Sequence, residues 1–254
     1  MKIAVPIKFV PDLVEELSID SSGAALDTSW LRLIINEFDD HAIEQAILLK
    51  ERDGGEVTVL APEAEGLDDI LFTAAAKGAD RLVKFTGDFG GGLNSHAAAR
   101  ILVDTMRELQ PDLILTGVQA HNDLDGSVGP ILAELLGMPY LGYVAGVTSS
   151  GDKVITRKEY PGGIIAEVEV RLPAVIGVQA AEQPPRYIAY SKIRQVMSTA
   201  KIEERPVTDL GSIGGITVSR MFKPEAGQRA TILEGSVEEV ADRLVAVFRD
   251  HGAL

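Results

Sequence analysis

The strongest constraint on the fold of this chain is a repeated change of hydrophobic period. Short apolar runs rich in β-branched residues recur: "KIAVPIKFV" (Lys2–Val10), "EVTVL" (Glu56–Leu60), "RLVKF" (Arg81–Phe85) and "DLILT" (Asp112–Thr116). Each reads as a buried strand, the first stopping at Pro11–Asp12. Between them lie segments of helical spacing. Asp39 to Arg52 places Ala42, Ile43, Ala46, Ile47 and Leu49 on one face and ends at Asp53-Gly54-Gly55. "LDDILFTAAAKGA" and "SHAAARILVDTMRELQ" repeat the pattern, and a further helix runs to Gly137. Strands alternating with helices predict a parallel sheet covered on both faces, and right-handed crossovers make it a doubly wound α/β fold.

The pattern changes after Pro139. "KVITRKEY" and "IIAEVEVRL" alternate apolar and charged residues about Pro161-Gly162-Gly163, which predicts an antiparallel hairpin over 151–172 with one wet face. A smaller hairpin is expected at Leu17–Asp27, around Ser22-Gly23. "LPAVIGVQ" (Leu172–Gln179) reads as a central strand. From Pro184 to Gln228 there is no long periodic element. A structureless stretch of that length is unusual inside a compact domain, so it reads as an arm lying on a partner. "SVEEVADRLVAVFRDHG" closes the chain as an amphipathic helix N-capped by Ser236. The expected organisation is an α/β domain over 1–183 and an arm with a C-terminal helix over 184–254.

A net charge of −14 argues against a nucleic-acid partner, which would need a basic face. Small nucleotides stay possible, because main-chain N–H groups and helix dipoles hold phosphate in acidic proteins. The absence of cysteine excludes disulfides, thiol nucleophiles and cysteine-ligated metals. No run is apolar enough for membrane insertion and no N-terminal signal is visible, so a cytoplasmic location is expected.

Ligands of doubly wound sheets bind beyond the carboxyl ends of the strands, where the strand order reverses. The loop "GVQAHNDLDGSVGP" (Gly117–Pro130) lies on that edge. Gly126 permits close approach of backbone; Ser127 brings a hydroxyl, and the amides of Val128 and Gly129 are donors at the positive end of the next helix. Either this loop holds a phosphate, or Asp125 or Ser127 simply N-caps a helix. Asp123 and Asp125 could reach a ribose, though two carboxylates beside a phosphate are costly unless solvated. "GDFGGGLN" lacks dinucleotide-loop spacing and reads as a connection. His41, His96, His121 and His251 are scattered, so no metal site is expected, and no catalytic constellation is evident.

Taken together, "VPIKFVPD", "INEFDDHAIEQAILLKE" (Ile35–Glu51), "AAAKGADR", "PDLILTGVQ", "TRKEYPGG", "VEVRLPAVIGVQ", "PPRY" (Pro184–Tyr187) and "GQRATILEG" resemble the β subunit of electron transfer flavoprotein, the FixA family, over nearly the whole chain. "NEFDD", "TGVQ" and "RATILEG" look most like the methylotroph form. The resemblance implies a doubly wound sheet of the adenine-nucleotide α-hydrolase-like (HUP) type. It also implies a heterodimer with an α subunit that holds most of a redox FAD. This chain would carry AMP or, as in bifurcating members, a second FAD. The pair would move electrons from a flavoprotein dehydrogenase to a quinone reductase or another acceptor, so the chain would be a carrier and not an enzyme. By position, the nucleotide site would include Ala4, Val5, Lys8, Asn36, Asp39, Ala61 and the loop residues Gln119, Asp123, Gly126, Ser127, Val128 and Gly129. Phe38 would approach the partner's flavin.

Two departures from the family pattern matter. Many AMP-binding members place a threonine hydroxyl on the phosphate where this chain has Val128, which cannot donate. "VGP" looks more like the bifurcating members. In the arm, Tyr190 replaces the leucine that docks acyl-CoA dehydrogenases; with Ile193 it would form the docking surface. The alternative is a stand-alone adenine-nucleotide sensor of universal-stress-protein type.

Overall fold

The computed structural model describes residues 1–87, 89, 93–124, 126–208, 215–225, 227 and 230–254. Two compact units are present, Met1–Arg220 and Met221–Leu254.

The first unit is built on strands β1 (Lys2–Pro6), β2 (Phe9–Pro11), β3 (Leu33–Ile35), β4 (Glu56–Pro62), β5 (Arg81–Thr86) and β6 (Leu113–Gly117). It continues with β7 (Tyr140–Ala145), β8 (Val147–Ser150), β9 (Lys153–Tyr160), β10 (Ile164–Arg171), β11 (Ala174–Ala180) and β12 (Ile202–Pro206). Its helices are α1 (Glu37–Asp53), α2 (Leu67–Lys77), α3 (Ser95–Leu109), α4 (Val128–Leu136) and α5 (Tyr190–Met197). Seven strands form one sheet in the order β12-β5-β4-β1-β6-β11-β7, with every recorded pair parallel. The chain starts in the middle, adds β4 and β5 on one side, then crosses to β6 on the other. The reversal therefore falls between β1 and β6.

Alternation along each strand divides the buried residues between two cores. Ile3, Val5, Val59 and Leu115 point to α1 and α2, where Ile43, Ile47 and Leu71 meet them. Ala4, Leu60, Val83 and Ile114 point to α3 and α4, where Leu102, Met106 and Leu132 meet them. Helices thus cover both faces, as the double winding requires.

Three local readings change. The first apolar run is not one strand: β1 ends at Pro6, and by Lys8 the main chain has left the ladder, its N–H donating to the Asp39 carboxylate at 2.7 Å. Phe9–Pro11 then pairs antiparallel with Leu33–Ile35. The strand β7 was not foreseen. Its sequence, "YLGYVA", has no clean alternation, and its pairing with β11 is broken by a bulge at Tyr143, which takes φ 60°. Lastly, the stretch after Pro184 holds the two-turn helix α5 and the strand β12, which completes one edge of the main sheet against β5. At Leu17–Asp27 the hairpin reduces to one antiparallel bridge between Ile19 and Leu26. The hairpin β9–β10 pairs from Lys153↔Arg171 to Tyr160↔Ile164 and, with β8, forms a separate three-stranded sheet.

Polar residues of α1 hold the chain that leaves β11. Gln45 is fully buried; its amide donates to the Val147 carbonyl and its oxygen accepts from the N–H of Glu182. Glu44, also buried, accepts from the N–H and Nε of Arg186 at 2.9 and 2.8 Å, while the guanidinium ends of Arg186 grip Glu51.

In the second unit, helix α6 (Val237–Asp250) starts with a full capping box between Ser236 and Glu239. None of its residues is buried, and Val237, Leu244, Val247 and Phe248 are exposed.

Candidate functional site

A cleft of about 930 Å³ opens at the carboxyl ends of β1, β4, β5 and β6, over the strand-order reversal. Lys8, Asn36 and Asp39 line it from the segments following β1; Gln119, Asp123, Ser127 and Val128 line it from the loop after β6. Seven of the residues expected from position therefore converge here, although they come from opposite sides of the reversal.

The two sides are tied by buried carboxylates. Asp39, in the first turn of α1, accepts from the N–H of Lys8 at 2.7 Å and from that of Gly117 at 2.8 Å. Burial pushes its carboxyl up to about 7; the two N–H groups and Asn36 oppose that rise, and Asp123 adds to it. Asn36 donates its amide to the Gln119 carbonyl at 2.9 Å. The Asp123 carboxylate takes Lys8 Nζ at 2.7 Å, Ser95 Oγ at 3.3 Å and the Ala120 N–H at 2.8 Å. This answers the cost of a carboxylate in this loop: Asp123 is neutralised by the cation of the first loop. Asp125 lies outside the described residues, as do Asp88, Gly90, Gly91 and Gly92 of the glycine connection after β5.

Three helices begin at the cleft; α1, whose N-cap Asn36 makes no side-chain cap, carries the Asp39 carboxylate in its first turn, and the other two ends differ. At α3, the Asn94 side chain accepts from the Ala97 N–H at 2.8 Å, filling the cap. At α4, Ser127 holds the N-cap position but makes no side-chain cap, so no side chain occupies its first-turn donors, and Ser127 and Val128 line the cleft. Beneath this turn lies Thr116, at the end of β6. It is buried, lines the cleft, and its Oγ1 has no hydrogen-bond partner.

Other expected residues sit elsewhere. Ala4, Val5 and Ala61 are wholly inside the two cores, so their side chains do not reach the cleft; Pro6, Ile7 and Pro62 line the strand ends instead. Gly126 is exposed with φ 95°, and Gly129 is buried against Thr116 and Tyr140. Phe38 is half-buried on the first turn of α1 and does not line the cleft. Tyr190 is 67% exposed on α5 with the Arg194 guanidinium 5.8 Å from its ring, while Ile193 is half-buried on the same helix, which packs on α2. Thr116, Asn94 and Ser95 were not foreseen. The one legible signal for Thr116 is a hydroxyl residue ending an otherwise apolar strand. For the other two it is the Asn–Ser pair before a helix.

The family model for the electron transfer flavoprotein domain matches residues 26–210. A β subunit of electron transfer flavoprotein from Methylophilus methylotrophus is 33% identical, with 98% of each chain covered. The chain belongs to the electron transfer flavoprotein β-subunit family. Further relatives include an acryloyl-CoA reductase electron transfer subunit gamma from Anaerotignum propionicum, 31% identical over 96% of this chain and 98% of its own. Protein FixA of Azorhizobium caulinodans is 30% identical over 97% and 93%. The electron transfer flavoprotein match takes in α1, the loop after β6, the hairpin, α5 and β12, whereas β1 and Lys8 precede it. Electron transfer and association with flavin go with that membership. Among the described residues no helix is long and apolar enough to cross a membrane.

Proposed function

We propose that this chain is the β subunit of a heterodimeric electron transfer flavoprotein. With an α subunit it takes electrons from a flavoprotein dehydrogenase and passes them to a quinone reductase or another acceptor, in the cytoplasm, without turning over a substrate of its own. The flavin of the pair supplies the redox chemistry. The residues of this chain bind an adenine nucleotide and present a surface to the companion. Residues 1–183 serve as the nucleotide-binding body and 184–254 as an embracing arm rooted in the first unit through α5 and β12, with Phe38 directed to the partner's flavin and Tyr190 and Ile193 to the dehydrogenase.

The observation that carries this reading is the difference between the helix ends at one cleft, where α1 already holds the Asp39 carboxylate in its first turn. The α3 end is filled by Asn94, and Asp123 stands beside it. An anion is therefore disfavoured there and favoured at α4, where Ser127 leaves the first-turn donors open and the helix dipole is positive. Asn36, Asp39 and Gln119 form a polar rim suited to a nucleoside. The open α4 end and this rim support AMP as the ligand.

A second reading, a second FAD, is favoured by size. About 930 Å³ is near the upper end of small-molecule sites, which run to roughly 1,000 Å³. The lining also extends to Thr28 and Ile216.

Denaturing the purified complex and quantifying the released nucleotides tests both. One FAD and one AMP per heterodimer supports the first reading; two FAD supports the second. A complex that releases flavin from its companion but no other adenine nucleotide removes the cleft from the account. A homodimer that binds ATP with no flavin-bearing companion points instead to the sensor alternative.

A further inference from the structure

A dry hydroxyl without a partner is unfavourable, and native proteins keep one where a ligand supplies what is missing. Thr116 Oγ1 is such an atom. It is buried at the end of β6, within a residue that lines the cleft, and it has no hydrogen-bond partner. Other buried hydroxyls of this unit are satisfied: Thr156 donates to the Val168 carbonyl, and Ser95 to Asp123.

A second observation places this atom. A Cβ built on Gly129 would stand 2.7 Å from Thr116 Oγ1 and 2.9 Å from the Tyr140 ring. The first turn of α4 therefore descends directly onto the threonine, and only glycine allows it. Thr116 Oγ1 lies at the same helix end whose cap Ser127 leaves unfilled. Val128, beside Gly129, brings no side-chain donor. The helix end offers main-chain donors, and one hydroxyl without a partner lies beneath it.

We infer that Thr116 is a ligand-binding residue, its Oγ1 donating to an anionic phosphoryl oxygen seated at the N-terminus of α4. This rests on the nucleotide reading of the cleft and names the group that reads the phosphate. The anion's charge is met by the helix end, and the hydroxyl adds direction.

The test is binding of AMP and of adenosine to the full chain, together with any companion that copurifies, in the wild type, Thr116→Val and Thr116→Ser. Thr116→Val keeps the shape and removes the hydroxyl. It is expected to weaken AMP by roughly 3- to 10-fold, the worth of one hydrogen bond, and to leave adenosine unchanged. Thr116→Ser is expected to restore AMP binding. Without nucleotide, the valine variant should melt at the same temperature as the wild type or higher, because it removes an unsatisfied buried group; a purely structural threonine would lower it. Equal AMP binding by wild type and Thr116→Val, or equal losses for AMP and adenosine, overturns the assignment and leaves the nucleotide site standing. A wild-type complex that neither retains nor binds AMP or FAD overturns the nucleotide reading itself.

Discussion

Gly117 gives its N–H to the Asp39 carboxylate at 2.8 Å and has no side chain because Asp39 fills the space where one would go. A Cβ there would overlap Asp39 Oδ1 and stand 2.9 Å from the Phe38 carbonyl carbon. Helix α1 thus begins in direct contact with the end of β6, across the strand reversal. Gly117→Ala is expected to destabilise the chain by about 1–3 kcal/mol through forced displacement of that backbone. Thermal unfolding reads it as a drop of roughly 2–4 °C per kcal/mol for a chain of this size. An unchanged melting temperature would mean the contact yields freely.

The same carboxylate gives the fold a pH signature. Burial raises Asp39 from 3.8 to about 7, so between those values the native state holds a proton that the unfolded chain has released. The contribution of this group to stability is complete below about pH 4 and is lost as pH rises through 7. Urea unfolding of the wild type at pH 5 and pH 8 should show the Asp39 component as lower stability at the higher pH. In Asp39→Asn that component should disappear. If the two proteins have the same difference between the two pH values, Asp39 does not titrate in this range.

Arg186 satisfies the buried Glu44 carboxylate with two of its N–H groups and grips Glu51 with its ends. Arg186→Ala leaves Glu44 buried and unpaired. A cost of about 2–4 kcal/mol is expected, below that of a fully buried pair because the guanidinium is 28% exposed. The double variant with Glu44→Gln should recover part of it. Limited proteolysis checks the consequence: the segment after Ala180 should be cut faster in Arg186→Ala than in the wild type.

Helix α6 has no buried residue, so its cap matters more than its packing within its own unit. Ser236→Ala removes the hydroxyl half of the capping box and keeps the main-chain N–H to Glu239; it is expected to cost about 1 kcal/mol of helix stability. Hydrogen exchange should accelerate about fivefold in the amides of Val237–Asp250 and stay unchanged in the central strands β1 and β6. Uniform acceleration throughout would show instead that the helix is part of the global unfolding unit.

The sheet was legible because its strands are buried on both faces and read as continuous apolar runs, with helices of clear period between them. β7 was not, since an edge strand with a bulged Tyr143 has neither continuous burial nor alternation. β12 was hidden for a related reason: "IEERP" is mostly charged, and what selects it as a strand is the free edge of β5. At the cleft, Lys8, Asn36, Asp39 and the loop after β6 could be placed by resemblance and position. The Lys8–Asp123 pair could not, because it joins residues 115 positions apart. Nor could the isolation of Thr116 Oγ1, which depends on how closely α4 descends.

The late arrival of β12 also bears on how the chain is made. Every other strand of the main sheet lies before Ala180, yet β5 has an unpaired side until Ile202–Pro206 has emerged. A nascent or prematurely terminated product that stops short of Ile202 would present a bare parallel edge with Val83 and Phe85 along it, and such edges recruit one another. Synthesis through Pro206 is therefore what closes that edge.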